Sequence, residues 1–198
     1  MPYVIAHALA EDTRWQIRNG MRATDYDCLQ GYWAVMGPTD YVLGRLLWET
    51  DATTEDLLNE FYSAFGPLGE TVRAYYDYWE DFTARLNGAP LFADHKRNER
   101  KAAYPALYTE EAFSKAHALL AEADPVLATA STEERERFRN VELGLTHAEL
   151  MVEALKAGKI MATDAGKKLM AFRREIAPRN GANVYFLTDK EIGYRLFE

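Results

Sequence analysis

From Asp51 to about Ile176 the chain is a succession of apolar residues spaced three and four apart, and all but one of the runs are opened by a serine or threonine. That spacing puts one side chain per turn on a single stripe, and such a stripe has to be buried against another helix. Thr53 or Thr54 opens "EDLLNEFYSAF", whose apolar face is Leu57, Leu58, Phe61, Tyr62 and Phe65. After "GPLG", a helix from about Leu68 to Leu86 carries Val72, Tyr75, Trp79, Phe82 and Leu86 as its seam. Thr109 caps the next helix, with Phe113, Ala116, Leu119 and Leu120 inward, ending near "DPV". Ser131 or Thr132 caps a long one, with Phe138, Val141, Leu145, Ala148, Val152 and Leu155 inward and Gly158 at its end. A last helix runs from Thr163 to about Ile176, stopped near Pro178 and an "NG" turn. The expected fold class is mainly α: a helical bundle of four to five helices over residues 51–180, with residues 181–198 as a strand or helix extension.

Residues 1–50 have a different pattern. Glu11 to Asn19 suits a short amphipathic helix with Trp15 on its apolar side and Gly20 as its stop. "MRATDYDCL", Met21 to Leu29, alternates like a strand, and Thr39 or Asp40 is placed to cap a helix reaching about Trp48. A single strand leaves its hydrogen-bonding edges unpaired, so it needs a partner within the chain or one outside it. The other strand-like stretch is "NVYFL", Asn183 to Leu187. One two-stranded pairing makes a poor sheet, and the expectation is that residues 1–50 are a helix-strand-helix remnant of a β/α barrel, truncated from a larger protein.

Composition excludes several function classes. A net charge of -8 argues against a nucleic-acid partner, which needs a cationic surface. The single cysteine, Cys28, excludes an internal disulfide and a thiolate zinc cluster. No apolar run is long enough to span a bilayer, and the first residues carry no leader pattern. Sequence motifs for zinc hydrolases, di-iron bundles, phosphate loops, nucleophile elbows and dinucleotide folds are missing, so neither metal nor cofactor is expected. His117 and His147 read as packing or surface residues of helices, His95 as part of a solvated charged loop with "HKRNERK", and His7 as a terminal residue.

"DYD", Asp25 to Asp27, followed by Tyr32 and Trp33, is the constellation that carries chemistry. At the C-terminal end of a barrel strand, Asp25 and Asp27 would share one side and serve as acid and base or as hydrogen-bond partners of sugar hydroxyls. Tyr26, Tyr32 and Trp33 would then offer ring faces to a sugar. The plainer reading is a strand end entering a polar loop.

"GPTDYVLGRLLWETDATTEDLLNEFYSAFGPLGETVRAYYDYWE", Gly37 to Glu80, resembles a segment of a family of large bacterial proteins that carry a domain of unknown function and are related to glycoside hydrolases of the α-glucuronidase and hexosaminidase type. The matching elements are Tyr41, Leu46 to Trp48, Asp51, Leu57 to Tyr62, Phe65 to Pro67 and Arg73 to Asp77. "DTRWQIRNGMRATDYDCLQGYW" is similar to that family's last barrel helix and strand, and the resemblance extends over roughly Ala10 to Leu155. It implies that Leu46 to Pro67 is the junction where the chain leaves a sugar-processing barrel for a helical domain. Trp48, Phe61, Tyr62 and Phe65 are then interface and core, with Asp51 and Thr53 as caps. Most of the barrel would lie upstream of Met1, and no family acid maps onto Asp25 or Asp27.

Two readings follow. In the first, the chain is the C-terminal region of a glycoside-hydrolase-like protein, inactive alone, its carbohydrate met through the parent barrel, with an exposed apolar face around Trp15, Trp33 and Trp48 through which it can self-associate. Such a parent would be periplasmic or secreted, although the residues of this chain leave the compartment open. In the second, it is a non-enzymatic helical module that binds a protein or carbohydrate in an aromatic groove. A metal-dependent bundle enzyme is disfavoured because no carboxylate and histidine pair has ligand spacing.

Overall fold

The computed structural model describes residues 1–24, 32–88, 103–158, 162–179 and 182–193, and these are mainly helical, with no strand among them. The longer helices are α1 (Ala6–Arg18), α2 (Trp33–Leu46), α3 (Thr54–Ser63), α4 (Gly69–Gly88), α5 (Glu110–Ala121), α6 (Thr132–Ala157), α7 (Asp164–Ile176) and α8 (Val184–Gly193). α2 packs against α1, α3 and α6; α4 against α3 and α5; and α6 along α7. The main core joins Val4, Ala6 and Ala10 of the N-terminal segment to Val42 and Leu46 of α2 and to the apolar seams of α3 to α6.

Local signals set the starts of α3, α5, α6 and α7. The hydroxyls of Thr53, Thr109, Ser131 and Thr163 accept the amide N–H of Asp56, Ala112, Glu134 and Gly166. At α6 the Glu134 carboxylate also accepts the Ser131 N–H, which completes a capping box. Gly158, at φ 62°, ends α6 in a conformation that suits glycine.

The N-terminal helices are positioned from a distance. α1 starts at Ala6 and not at Glu11, without a local cap. The N–H groups of Val4, Ile5 and His7 donate instead to Thr83 Oγ1, Thr39 Oγ1 and Glu80 Oε1. These groups from α2 and α4 satisfy the donors that a helix start leaves orphaned. The side of α1 that is buried carries Ala6, Ala10 and Thr13, whereas Trp15 faces water.

α2 begins at Trp33 and runs through Pro38, so Thr39 and Asp40 lie inside it and do not cap it. Proline has no N–H for the carbonyl four residues back, Ala34. That carbonyl accepts the Tyr76 hydroxyl at 3.0 Å, and the helix continues. Nearby, α2 and α6 approach so closely that a Cβ on Gly144 would lie 2.6 Å from Ala34 Cβ.

Two strand expectations fall differently. Met21 to Thr24 is irregular, and the remainder of Met21 to Leu29 lies outside the described residues. Asn183 to Leu187 is corrected to a helix: Asn183 Oδ1 accepts the Phe186 N–H, and α8 follows. Val184 and Leu187, one turn apart, are buried in a small cluster with Tyr32, Leu143 and Ile176, and this burial overrides the β preference of the stretch. The strand-like pairing that persists is one isolated antiparallel bridge, Tyr32 to Ala182.

Candidate functional site

A cavity of about 300 Å³ opens where α2, α3, α4 and α6 meet. Phe61 on α3 is its hub, with ring centroids 5.5 Å from Tyr41, 5.6 Å from Phe65, 6.0 Å from Tyr76 and 6.1 Å from Trp33. The floor is apolar and buried: Ala34, Phe61, Phe65, Tyr76 and Val141. Tyr76 presents only its ring there, because its hydroxyl is donated to the carbonyl that Pro38 releases. Trp33, 46% exposed, stands at the opening with Tyr41.

The rim is polar. Glu60 is held by Arg45 at 2.5 Å, and Arg45 also reaches Glu49 at 2.8 Å. From α6, Arg137 and Asn140 face the cavity one turn apart, with Val141 beneath. Arg137 donates one N–H to Ala64 O at 2.7 Å, which fixes the guanidinium over the rim. It forms no ion pair among the described residues. Its charged neighbour Glu134 is occupied at the Ser131 N–H. The described lining therefore has one carboxylate, paired with an arginine that Glu49 shares, and one cation with spare donors. Glycoside hydrolysis needs two carboxyl groups flanking the bond, and the described lining has one. This arrangement suits binding.

Of the candidate site residues singled out in the sequence, Trp33 lines the cavity. Tyr32, its neighbour, is buried on the other side: its hydroxyl donates to Leu143 O at 3.2 Å and its ring packs edge-on to His147. Asp25, Tyr26 and Asp27 lie outside the described residues, as do His95 and its basic run. Phe61, Tyr62 and Phe65 are buried as expected, but Trp48 is 87% exposed and is not core. Thr53 caps α3, while Asp51 is an exposed turn residue. Tyr41, Glu60, Tyr76, Arg137 and Asn140 were missed. Their sequence signal is faint, a polar residue on either side of an apolar seam, because it takes four helices to bring them together.

The other titratable groups do not add an acid–base pair to this cavity. His147 is buried and accepts the Arg173 Nε–H at 3.0 Å; burial first, and then the Arg173 charge, keep it neutral. His7 bridges Glu80 and Glu55, each at 2.9 Å, and ties α1 to α4 and α3. Burial opposes its charge, but the hydrogen bonds to the two carboxylates outweigh it and raise its pKa. Burial alone pushes the Asp40 carboxyl up to about 6. A broader cleft of about 780 Å³ between α5, α6 and α7 is lined by Glu149 and Glu153, which pair with His117 and Lys168, and by Glu110, Lys156 and Glu175.

Among the described residues no three His, Cys, Asp or Glu side chains are grouped to hold a metal ion, and no helix is long and apolar enough to cross a membrane. Compared with known proteins, the chain matches no family model, no curated protein and no solved structure.

Proposed function

We propose that the chain is the C-terminal, helical region of a glycoside-hydrolase-like carbohydrate-processing protein, where it packs on a sugar-binding barrel and is not catalytic alone. The observation that carries this reading is an apolar end. α1 and α2 run in the same sense, since Ile5 bonds to Thr39 while Arg14 bonds to Ala52 O and Thr54 Oγ1. This sets Trp15 near the level of Leu47 and Trp48, and the three are 58%, 38% and 87% exposed. Indoles this exposed suit a face that another domain covers. The resemblance of Gly37 to Glu80 puts the barrel junction at this same stretch. The finer reading, that residues 1–50 close the barrel, rests on that resemblance and on the strand expected over Met21 to Leu29, of which residues 25–29 lie outside the described ones.

A second reading is favoured by the shared core. Val4, Ala6, Ala10, Val42 and Leu46 are buried with α3 to α6, as in a self-standing helical module. The frame upstream of Met1 separates the two. A continuous frame with β/α periodicity over about 250 residues supports the first. A translation start at Met1, together with a monomer that binds no hydrophobic dye, would overturn it in favour of the second.

A further inference from the structure

We propose that the Trp33 cavity is a binding site for an aromatic carboxylate, a flat apolar ring bearing one carboxyl group. The site is independent of the proposed docking face: Trp33 opens α2 and Trp48 follows it, so the two lie about 20 Å apart along the helix.

Three observations select this ligand class. The floor offers no hydrogen-bond partner, because the Tyr76 hydroxyl is turned to Ala34 O and the other floor groups are Ala34, Phe61, Phe65 and Val141. A sugar ring seated there would lose the water on its hydroxyls without replacement, whereas an aromatic ring would not. The walls are ring faces and edges, which favour a flat aromatic occupant over an aliphatic one of equal size. At the rim Glu60 is engaged by Arg45, which Glu49 shares, while Arg137 retains N–H groups that its bond to Ala64 O leaves over. Asn140, beside Arg137, adds an amide donor. A carboxylate is the planar anion that a guanidinium fork fits. The volume, about 300 Å³, is at the small end of ligand cavities and excludes a long chain or an oligosaccharide.

The test is a titration of the chain, followed by ¹H–¹⁵N spectra, with phenylacetate, its neutral counterpart phenylacetamide, and glucuronate. Phenylacetate is expected to move the Trp33 indole and Arg137 Nε–H signals and to bind about tenfold or more tightly than phenylacetamide. Arg137→Gln should erase that preference by weakening phenylacetate about tenfold more than phenylacetamide. Since Arg137 is exposed, the variant should fold, as near-UV circular dichroism will show. Trp33→Ala should weaken both aromatic ligands. Equal binding of phenylacetate and phenylacetamide would overturn the anionic half of the proposal, and glucuronate binding as tightly as phenylacetate would overturn the aromatic half. Absence of binding by all three, or shifts confined to the α5–α6–α7 cleft, would overturn it entirely. None of these outcomes bears on the upstream frame, so the proposed function fails or stands separately.

Discussion

The aromatic core has two ends built from the same residue types, one sealed and one open, joined through Tyr75 and Tyr76. In the sealed cluster, Trp79 on α4 is fully buried, with ring centroids 5.0 Å from Tyr78, 5.1 Å from Phe82, 5.9 Å from Tyr108 and 6.1 Å from Phe113. Two of its tyrosines end on backbone carbonyls, Tyr108 on Pro2 O and Tyr78 on Ala112 O. The open cluster surrounds Phe61 at similar spacings but leaves a cavity with a charged rim. In the first, two helices lie against each other and their rings interlock. In the second, the helices are held apart around one ring, and Gly37 is so near Phe61 that a Cβ would lie 3.1 Å from Cζ. An excess of aromatics therefore does not distinguish core from site; the gap between helices and the charged rim beside it do.

The largest expected effect is on the sealed side. Trp79→Ala should destabilise the chain by about 3–5 kcal/mol in urea unfolding, because the surrounding rings cannot collapse into the space. A loss under about 1 kcal/mol would mean the cluster is loosely packed and the contrast is false. Tyr76→Phe keeps the ring on the cavity floor but strips the partner from Ala34 O, at a cost of about 1–3 kcal/mol. A neutral result there would show that α2 satisfies that carbonyl in another way. Trp33→Ala should cost only about 1 kcal/mol, since the side chain is already half exposed, while it removes ligand binding.

The smallest effect spans both regions, because His7 joins Glu55 of α3 to Glu80 of α4. Its pKa is raised on folding, so its stabilisation is complete below the ordinary value and is lost as the pH rises through the raised one. His7→Gln should therefore cost about 0.5–1 kcal/mol near pH 6, an exposed ion pair being weak. That cost should fade in more alkaline buffer. A penalty that grows with pH would contradict the ion pairs.

The sequence was legible where a structure depends on neighbours within a few residues. The caps at Thr53, Thr109, Ser131 and Thr163 and the seams of α3 to α6 are of this kind. It was illegible where the deciding partner is distant in the chain. α1 is capped by Thr39, Glu80 and Thr83, Pro38 is tolerated because of Tyr76, and Asn183 to Leu187 becomes helical by burial against Tyr32 and Leu143. The candidate site has the same difficulty. Trp33 was legible as an unusual aromatic, but Arg137 and Asn140 gain meaning only when α6 crosses α2 and α3.

The contrast between the two clusters is tested most directly by ¹⁹F spectra of the chain labelled with 5-fluorotryptophan, which gives separate signals for Trp15, Trp33, Trp48 and Trp79. On exchange from H₂O to D₂O, the signals of Trp15, Trp33 and Trp48 should shift and that of Trp79 should not; added phenylacetate should then move Trp33 alone. A Trp79 signal that responds to solvent or ligand, or a Trp33 signal that responds to neither, would contradict the division into a sealed core and an open site.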